Sequence, residues 1–429
     1  MSLQHTHFSF ADLFAGIGGF RIALERLGGR CLGFSEIDKK AIETYRRNFV
    51  GEENEFGSVS DLDELPFKPD LITGGVPCQS WSCIGKRLGF NDPRGRLWFD
   101  AIRIVSRNQP KAFIFENVKG LYDHRNKDNL DFIVRKLTEA GYSVKYQLMN
   151  SFDFGLPQSR ERIYLVGIRN DLASVLRGEY EFPRPICRHP PLSEFLDGFP
   201  ISKDGQVELF WDCGLNSEND TLEDFFALCD TRGGLNAVHS WDLQDISKEE
   251  ALICDCLMRN RRRKKYGDKD GNPLSAEILS SLLPNGIVSK ERLDNLVGRK
   301  ILKFIEEIGY EFVNSKISSG IGGVYRIYMP DTKLFPTLTA TGMNDYVSTT
   351  VIPFSEDSVQ RKKEFIEQIY NPGNYRMISP REAARLQGFP ECFLLPAKKS
   401  VAIHQLGNAV SVPVVFEIAN QILKTGCFG

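Results

Sequence analysis

Four short stretches hold residues able to do covalent chemistry. Cys78 stands in the run 74–82, Gly-Gly-Val-Pro-Cys-Gln-Ser-Trp-Ser, after a short apolar segment and before a polar, glycine-rich stretch reaching Leu97. A thiolate is the strongest common protein nucleophile near neutral pH, and nearby backbone amides lower a thiol's pKa from about 8.5. Glu116 follows the apolar run 112–115, so its carboxylate must be paired, protonated or functional. Arg160 and Arg162 lie at i and i+2 in Gln-Ser-Arg-Glu-Arg. Extended backbone puts both on one face, where they can aim into a single pocket.

The fourth stretch is 10–20, where Gly16, Gly18 and Gly19 sit between an apolar run and an amphipathic one. Glycines there let backbone approach a ligand without Cβ interference, although the third glycine of the full dinucleotide fingerprint is missing. Glu36 follows Gly18 by eighteen residues, the spacing at which an acid accepts hydrogen bonds from a ribose.

These residues need elements to hold them. From Phe8 to about Arg169, short apolar runs alternate with amphipathic stretches, which is the pattern of a βα series with a parallel sheet. Strands are expected over 8–13, 31–35, 71–73, 112–115, 144–149 and 163–168. Helices are expected over 20–27, 97–105 and 130–140, each with apolar residues at helical spacing. The last two strands are too close for a helical crossover, so an antiparallel hairpin should close the sheet. Beyond Arg169, Pro183, Pro185, Pro190 and Pro191 mark a linker and a domain boundary. In the middle region Ser247 and Ser289 are expected helix N-caps and 293–308 has helical period. The segment 320–328 reads as a glycine-rich turn entering a strand, which suggests a helix-turn-helix with a β wing.

Composition narrows the class. The 429 residues are 41% hydrophobic and 26% charged, which is globular and enough for two or three domains. No apolar run approaches the roughly 20 residues of a membrane span, and the first ten residues lack a signal-peptide pattern, so an intracellular, cytoplasmic protein with no membrane partner is expected. The ten cysteines include no CxxC pair or metal-ligand spacing, so neither a zinc site nor a disulfide framework is expected. Net charge is −2, so any nucleic-acid contact must be local. The sharpest local candidate is 259–265, with six basic residues of seven.

Taken in order, Cys78 in Pro-Cys-Gln, Glu116 in Glu-Asn-Val, and Arg160 and Arg162 in Gln-x-Arg-x-Arg resemble the cytosine-5 DNA methyltransferase family of prokaryotic restriction-modification type. The likeness continues through 89–97, 381–390 and 404–413. It implies an α/β fold: a Rossmann-like, mostly parallel S-adenosylmethionine-dependent methyltransferase sheet with an antiparallel closing hairpin, plus a mixed α+β target-recognition domain. The catalytic domain would be 1–185 completed by 398–429, and the recognition domain 186–397. The resemblance implies Cys78 as nucleophile, Glu116 as the acid at N3 of cytosine, and Arg162 with Arg160 behind it at O2. S-adenosylmethionine would meet Phe14, Gly16, Gly18, Gly19, Glu36, Ile37, Asp61, Leu97, Asn408 and Val410, with Asp61 on the adenine amino group. Double-stranded DNA would meet Gln79, Arg261, Arg262, Arg263, Lys264 and Lys265, together with Thr337 and Thr339 in a short Thr-Leu element. A monomer acting in the nucleoid, with a cognate restriction endonuclease sharing its target site, is the expected setting. The alternatives are a tRNA cytosine-5 methyltransferase and a non-catalytic DNA-binding homologue. No Asp-Pro-Pro-Tyr tetrapeptide of the amino-methylating enzymes occurs.

Overall fold

The computed structural model describes residues 8–51, 53–77, 95–186, 188–199, 238–239, 241–261, 263–267, 271–313, 326–341, 345–352 and 358–429. Cys78, Gln79 and Arg262 lie outside the described residues, as do 320–325 of the expected wing.

Seven strands form the main sheet: β1 (Phe8–Leu13), β2 (Gly29–Ser35), β3 (Asn54–Glu55), β4 (Leu71–Gly75), β5 (Ala112–Val118), β6 (Tyr142–Asn150) and β7 (Glu161–Arg169). Their order is β3-β2-β1-β4-β5-β7-β6. β3 to β5 pair in parallel, whereas β7 runs antiparallel between β5 and β6. The expected hairpin exists, with its second strand inserted beside β5. All six anticipated strands are present.

The central strands β1, β5 and β7 are apolar on both faces, as a sheet covered on both sides requires. Phe8, Phe10, Ala112, Ile114, Tyr164 and Val166 face one layer, built from α1 (Gly19–Arg26) and two C-terminal helices. Ala11, Leu13, Phe113, Phe115, Ile163 and Leu165 face the other, built from α3 (Leu97–Asn108) and α5 (Lys127–Glu139). Between them in sequence come α2 (Lys39–Asn48), capped by the Asp38 side chain, and the short α4 (Lys119–Tyr122).

The middle region holds α6 (Lys248–Asn260), α7 (Ala276–Leu282) and α8 (Lys290–Gly298), then the hairpin β8 (Leu302–Ile305) and β9 (Gly309–Phe312). Ser247 caps α6 in a capping box with Glu250, and Ser289 caps α8, as anticipated. The helix expected over 293–308 stops at Gly298. Lys300 takes φ 57, and the pattern then alternates as a strand. The wing is therefore β8–β9. The later residues Arg326–Tyr328 form β10, parallel to β11 (Asp345–Ser348), which pairs with β12 (Tyr375–Met377) in a separate three-stranded sheet.

After α9 (Ser358–Phe365) the chain returns to the large sheet through α10 (Pro380–Arg385), α11 (Lys399–Asn408) and α12 (Val412–Lys424). α10 starts with a Ser379–Glu382 capping box and Pro at its first turn, and Arg376 Nη2 sits 2.6 Å from Glu382 Oε1. The stretch Lys399–Lys424 has the length and composition of a membrane span, but α12 buries Val412, Val414, Val415, Ile418 and Ile422 against the sheet layer.

Two positions test this packing. A Cβ on Gly407 would collide with the Thr339–Ala340 peptide, so Gly407→Ala is expected to cost about 1–3 kcal/mol, read as a lowered denaturant midpoint. Asp12 in β1 is fully buried beside Thr73, whose hydroxyl donates to it at 3.0 Å. Burial pushes its carboxyl up to about 7 against the opposing effects of Thr73 and Arg21. The folded chain thus holds a proton that the unfolded chain has released between about pH 4 and that value, so this residue costs stability as pH rises through the window. Asp12→Asn should melt higher than the parent above pH 7, with the gap closing toward pH 4; a gap independent of pH would contradict the assignment.

Candidate active site

The site forms where the strand order reverses, at the carboxyl ends of β1, β2, β4 and β5, the edge at which open α/β sheets bind ligands. Because β7 is antiparallel, its amino end lies at this same edge. Val118 of β5 pairs with Arg162, and Glu116 with Tyr164. A cavity of about 300 Å³ opens there, lined by Phe14, Gly16, Gly19, Glu36, Ile37, Leu97, Glu116, Arg160, Arg162, Asn408 and Val410 among others.

One end of the cavity suits a nucleoside. Phe14 takes φ 55 and Gly16 φ 57, and nothing would touch a Cβ on Gly16 within 4 Å. A left-handed phenylalanine is rare and marks a turn held by its surroundings. Glu36 Oε2 accepts from Gly16 N at 2.8 Å, and Oε1 accepts from Ile37 N at 2.7 Å and Asp38 N at 2.9 Å. A carboxylate has roughly four acceptor sites, so Glu36 keeps capacity for a ligand hydroxyl. Ile37 is 73% exposed at the cavity mouth, which leaves an apolar face for a flat ring.

Glu116 and Arg162 form the charged end. Arg162 Nε lies 3.0 Å from Glu116 Oε1, and the two side chains are only 16% and 10% exposed. Burial pushes the Glu116 carboxyl above the ordinary range, opposed by Arg162 and Arg160. Asn117, buried next to it, donates from Nδ2 to Val76 O at 3.0 Å and so fixes the chain just before Pro77 and Cys78. A Cβ on Gly75 would lie 3.7 Å from Glu116 Oε2, in space a ligand can take.

Several expected residues act differently. Arg160 lines the cavity but is only 2% exposed. It gives Nη1 to Leu338 O at 3.1 Å and Nη2 to Gly407 O at 3.1 Å and Ala409 O at 2.8 Å, so it positions the Thr-Leu element and the end of α11. Gly18 does not line the cavity; at φ 91 it makes room for Phe49, whose ring a Cβ would strike. Asp61 is exposed at the end of the turn Val59–Asp61, and the cavity is lined there by Ser58 and Val59 instead. Arg261 is buried and supports the middle region's core, which removes it from the surface contacts. Thr337 gives its hydroxyl to Ser159 O, whereas Thr339 is half-buried at 3.3 Å from Thr341. Arg263, Lys264 and Lys265 are exposed as expected.

Other residues had weak or no sequence signal. Gln158 donates to Leu386 O at 2.6 Å and accepts from Leu338 N at 3.0 Å. His404 Nδ1 meets Ala340 O at 3.0 Å, so that nitrogen carries the proton, and Nε2 accepts from Asn408 Nδ2 at 3.3 Å. Asn408 thereby turns its oxygen away from His404. Gln158, His404 and Asn117 each stand in a stretch that carries the family resemblance, but nothing in those stretches tells which groups they bond.

With this geometry in hand, similarity to known proteins can be weighed. Residues 8–424 match the family described as C-5 cytosine-specific DNA methylase. The Type II methyltransferase M.HgiBI of Herpetosiphon aurantiacus is 42% identical over 428 residues, covering 97% of this chain and 96% of that protein. The Type II methyltransferase M.BanI of Aneurinibacillus aneurinilyticus is 34% identical, covering 97% and 95%. Among solved structures, the methyltransferase EhMeth of Entamoeba histolytica has a TM-score of 0.54 at 17% identity, covers 97% of both chains, and supports the Rossmann-like fold. With the family match spanning residues 8–424 and relatives similar along nearly their whole length, this protein is an enzyme of the C-5 cytosine-specific DNA methylase family.

Proposed function

We propose that this chain methylates carbon 5 of a cytosine flipped out of duplex DNA, with Cys78 as nucleophile and S-adenosylmethionine as methyl donor. The observation that carries the reading is the buried Glu116–Arg162 pair at 3.0 Å, which faces the cavity beside Pro77. Carbon 5 of cytosine is too poor a nucleophile to take a sulfonium methyl unaided, because its ring is electron-poor. The Cys78 thiolate forms a bond to carbon 6, while Glu116 gives a hydrogen bond or proton to N3. The raised pKa of Glu116 favours the protonated form that this step needs. Arg162 holds O2 as charge develops there. Bound cofactor would supply the electrophilic methyl carbon to carbon 5, its carbon–sulfur bond breaking to leave S-adenosylhomocysteine. Loss of the carbon 5 proton, elimination of the Cys78 sulfur and return of the N3 proton then restore the aromatic ring.

The cofactor fits the residues present. Glu36 would hold the ribose hydroxyls, Phe14, Ile37 and Leu97 the adenine, and Asn408 with Val410 and Gly19 the amino-acid end. A stacked base cannot be reached from both faces, so flipping is needed, at a cost of a few kcal/mol repaid by pocket contacts. Residues 1–185 and 398–429 would act as the catalytic body and 186–397 as the recognition region, in a monomer. The Type II methyltransferases among its relatives support a restriction endonuclease sharing its target as partner.

Duplexes carrying 5-fluorocytosine test the chemistry, because fluorine cannot leave as the carbon 5 proton does. With S-adenosylmethionine present, the parent should give an adduct stable to a denaturing gel, and Cys78→Ala should give none. Glu116→Gln should keep its fold but lose roughly 100-fold or more in kcat. If a broad set of genomic fragments yielded neither adduct nor methyl transfer from a folded, cofactor-bound enzyme, the DNA reading would be wrong.

A further inference from the structure

The helical part of the middle region folds around its own core, in which Trp241, Ile253, Leu257, Leu279, Leu293 and Phe312 meet. Its connectivity is α6, a backbone bridge from Leu274 to Tyr310, α7, α8, then the β8–β9 hairpin. That is the connectivity of a winged helix. In DNA-binding helix-turn-helix units the second helix of the pair enters the major groove. Here that helix would be α8, with the hairpin turn beside it.

Charge argues against that use. The hairpin turn carries the exposed Glu306 and Glu307. α7 starts next to the turn, since a Cβ on Gly309 would strike Leu274 and Ser275, and it carries exposed Glu277 in its first turn. α8 exposes Glu291 and Asp294 against Lys290. A duplex carries one negative charge per ~1.7 Å of axis, so this end of the unit repels it.

The opposite end is built differently. The hairpin opens at Leu302 and Phe312, where the Arg261 guanidinium lies 5.4 Å from the Phe312 ring centre. Arg261 O accepts from Asn272 N at 2.7 Å and from Asn272 Nδ2 at 3.0 Å, and the same amide reaches Gly267 O at 3.1 Å. These bonds anchor the two ends of the loop. Arg263, Lys264 and Lys265 are then exposed from it, and Lys300 is exposed where α8 leads into β8. None of these four has an ion-pair partner among the described residues. Buried Arg261 is the anchor, and its neighbours are the free cations.

We propose that this unit grips duplex DNA through its phosphates at the Arg263–Lys265 end, and not through α8 and the hairpin turn. The inference rests on the DNA methyltransferase reading. Phosphate contacts carry no sequence information, so the grip sets affinity and register while base selection lies elsewhere.

The test measures DNA affinity against salt for the full chain, on duplexes of several sequences. Replacing Arg263, Lys264 and Lys265 together by alanine should reduce the slope of log K against log salt by roughly 2.7, at about 0.9 per lost phosphate contact. Affinity should fall by a similar factor on every sequence. Lys290→Ala, and Glu291→Gln with Asp294→Asn, should leave the slope as it was. An unchanged slope in the triple variant, or a loss confined to Lys290→Ala, overturns the proposal and leaves the basic end to a protein partner. Absence of any adduct on fluorocytosine DNA from the parent enzyme would instead remove the underlying reading, so the two failures are separable.

Discussion

A buried guanidinium holds the halves of the site together. Arg160 is 2% exposed, and a charge so placed needs strong hydrogen-bond acceptors. It finds its acceptors at the carboxyl end of α11, where helix carbonyls lack intrahelical partners and the helix dipole favours a cation, and at Leu338 of the Thr-Leu element. Three distant segments meet on one side chain. Gln158 and Gln387 extend the same tie, the first to Leu386 O and Leu338 N, the second to Leu406 O at 3.0 Å. Asn408 and Val410 line the cofactor cavity because this knot places them there.

The same hairpin solves an electrostatic problem. Glu116 ends an apolar strand, where an isolated carboxylate would simply stay protonated. β7 runs antiparallel beside it and brings Arg162 within 3.0 Å, so burial and ion pairing oppose each other at one carboxyl group. Parallel placement of β7 would have sent Arg160 and Arg162 to the far edge of the sheet.

Much of this was readable in the sequence, for physical reasons that differ by element. Strands buried on both faces are runs of apolar residues, so β1, β4, β5 and β7 announce themselves, and residues just past their ends become candidates by position alone. Glu36 and Glu116 become candidates that way, and Arg162 by its i, i+2 spacing with Arg160. What one side chain touches across 178 or 247 positions of sequence leaves no such mark, so the sequence sets Arg160 behind Arg162 without showing its bonds to Leu338 and Gly407. Gly18 was read as ligand-facing because a glycine needed for φ 91 and for the Phe49 ring looks the same in sequence as one needed by a cofactor. The run 293–308 misled because Leu293, Leu296 and Val297 set a helical period that the left-handed Lys300 then ends.

The middle region departs from pattern because its stability is separate. The α6–β9 unit buries its own core, and hydrophobic packing of this kind constrains volume and pattern far more than identity. Its surface is then free to vary in charge, and here charge is segregated along the hairpin: acids at the turn, cations at the open end. A net charge of −2 conceals this, since cations gathered on one face bind a polyanion whatever the total. The cavity at the sheet edge has no such freedom, because Glu116 is tied to Arg162 and Glu36 to the backbone amides of Gly16, Ile37 and Asp38.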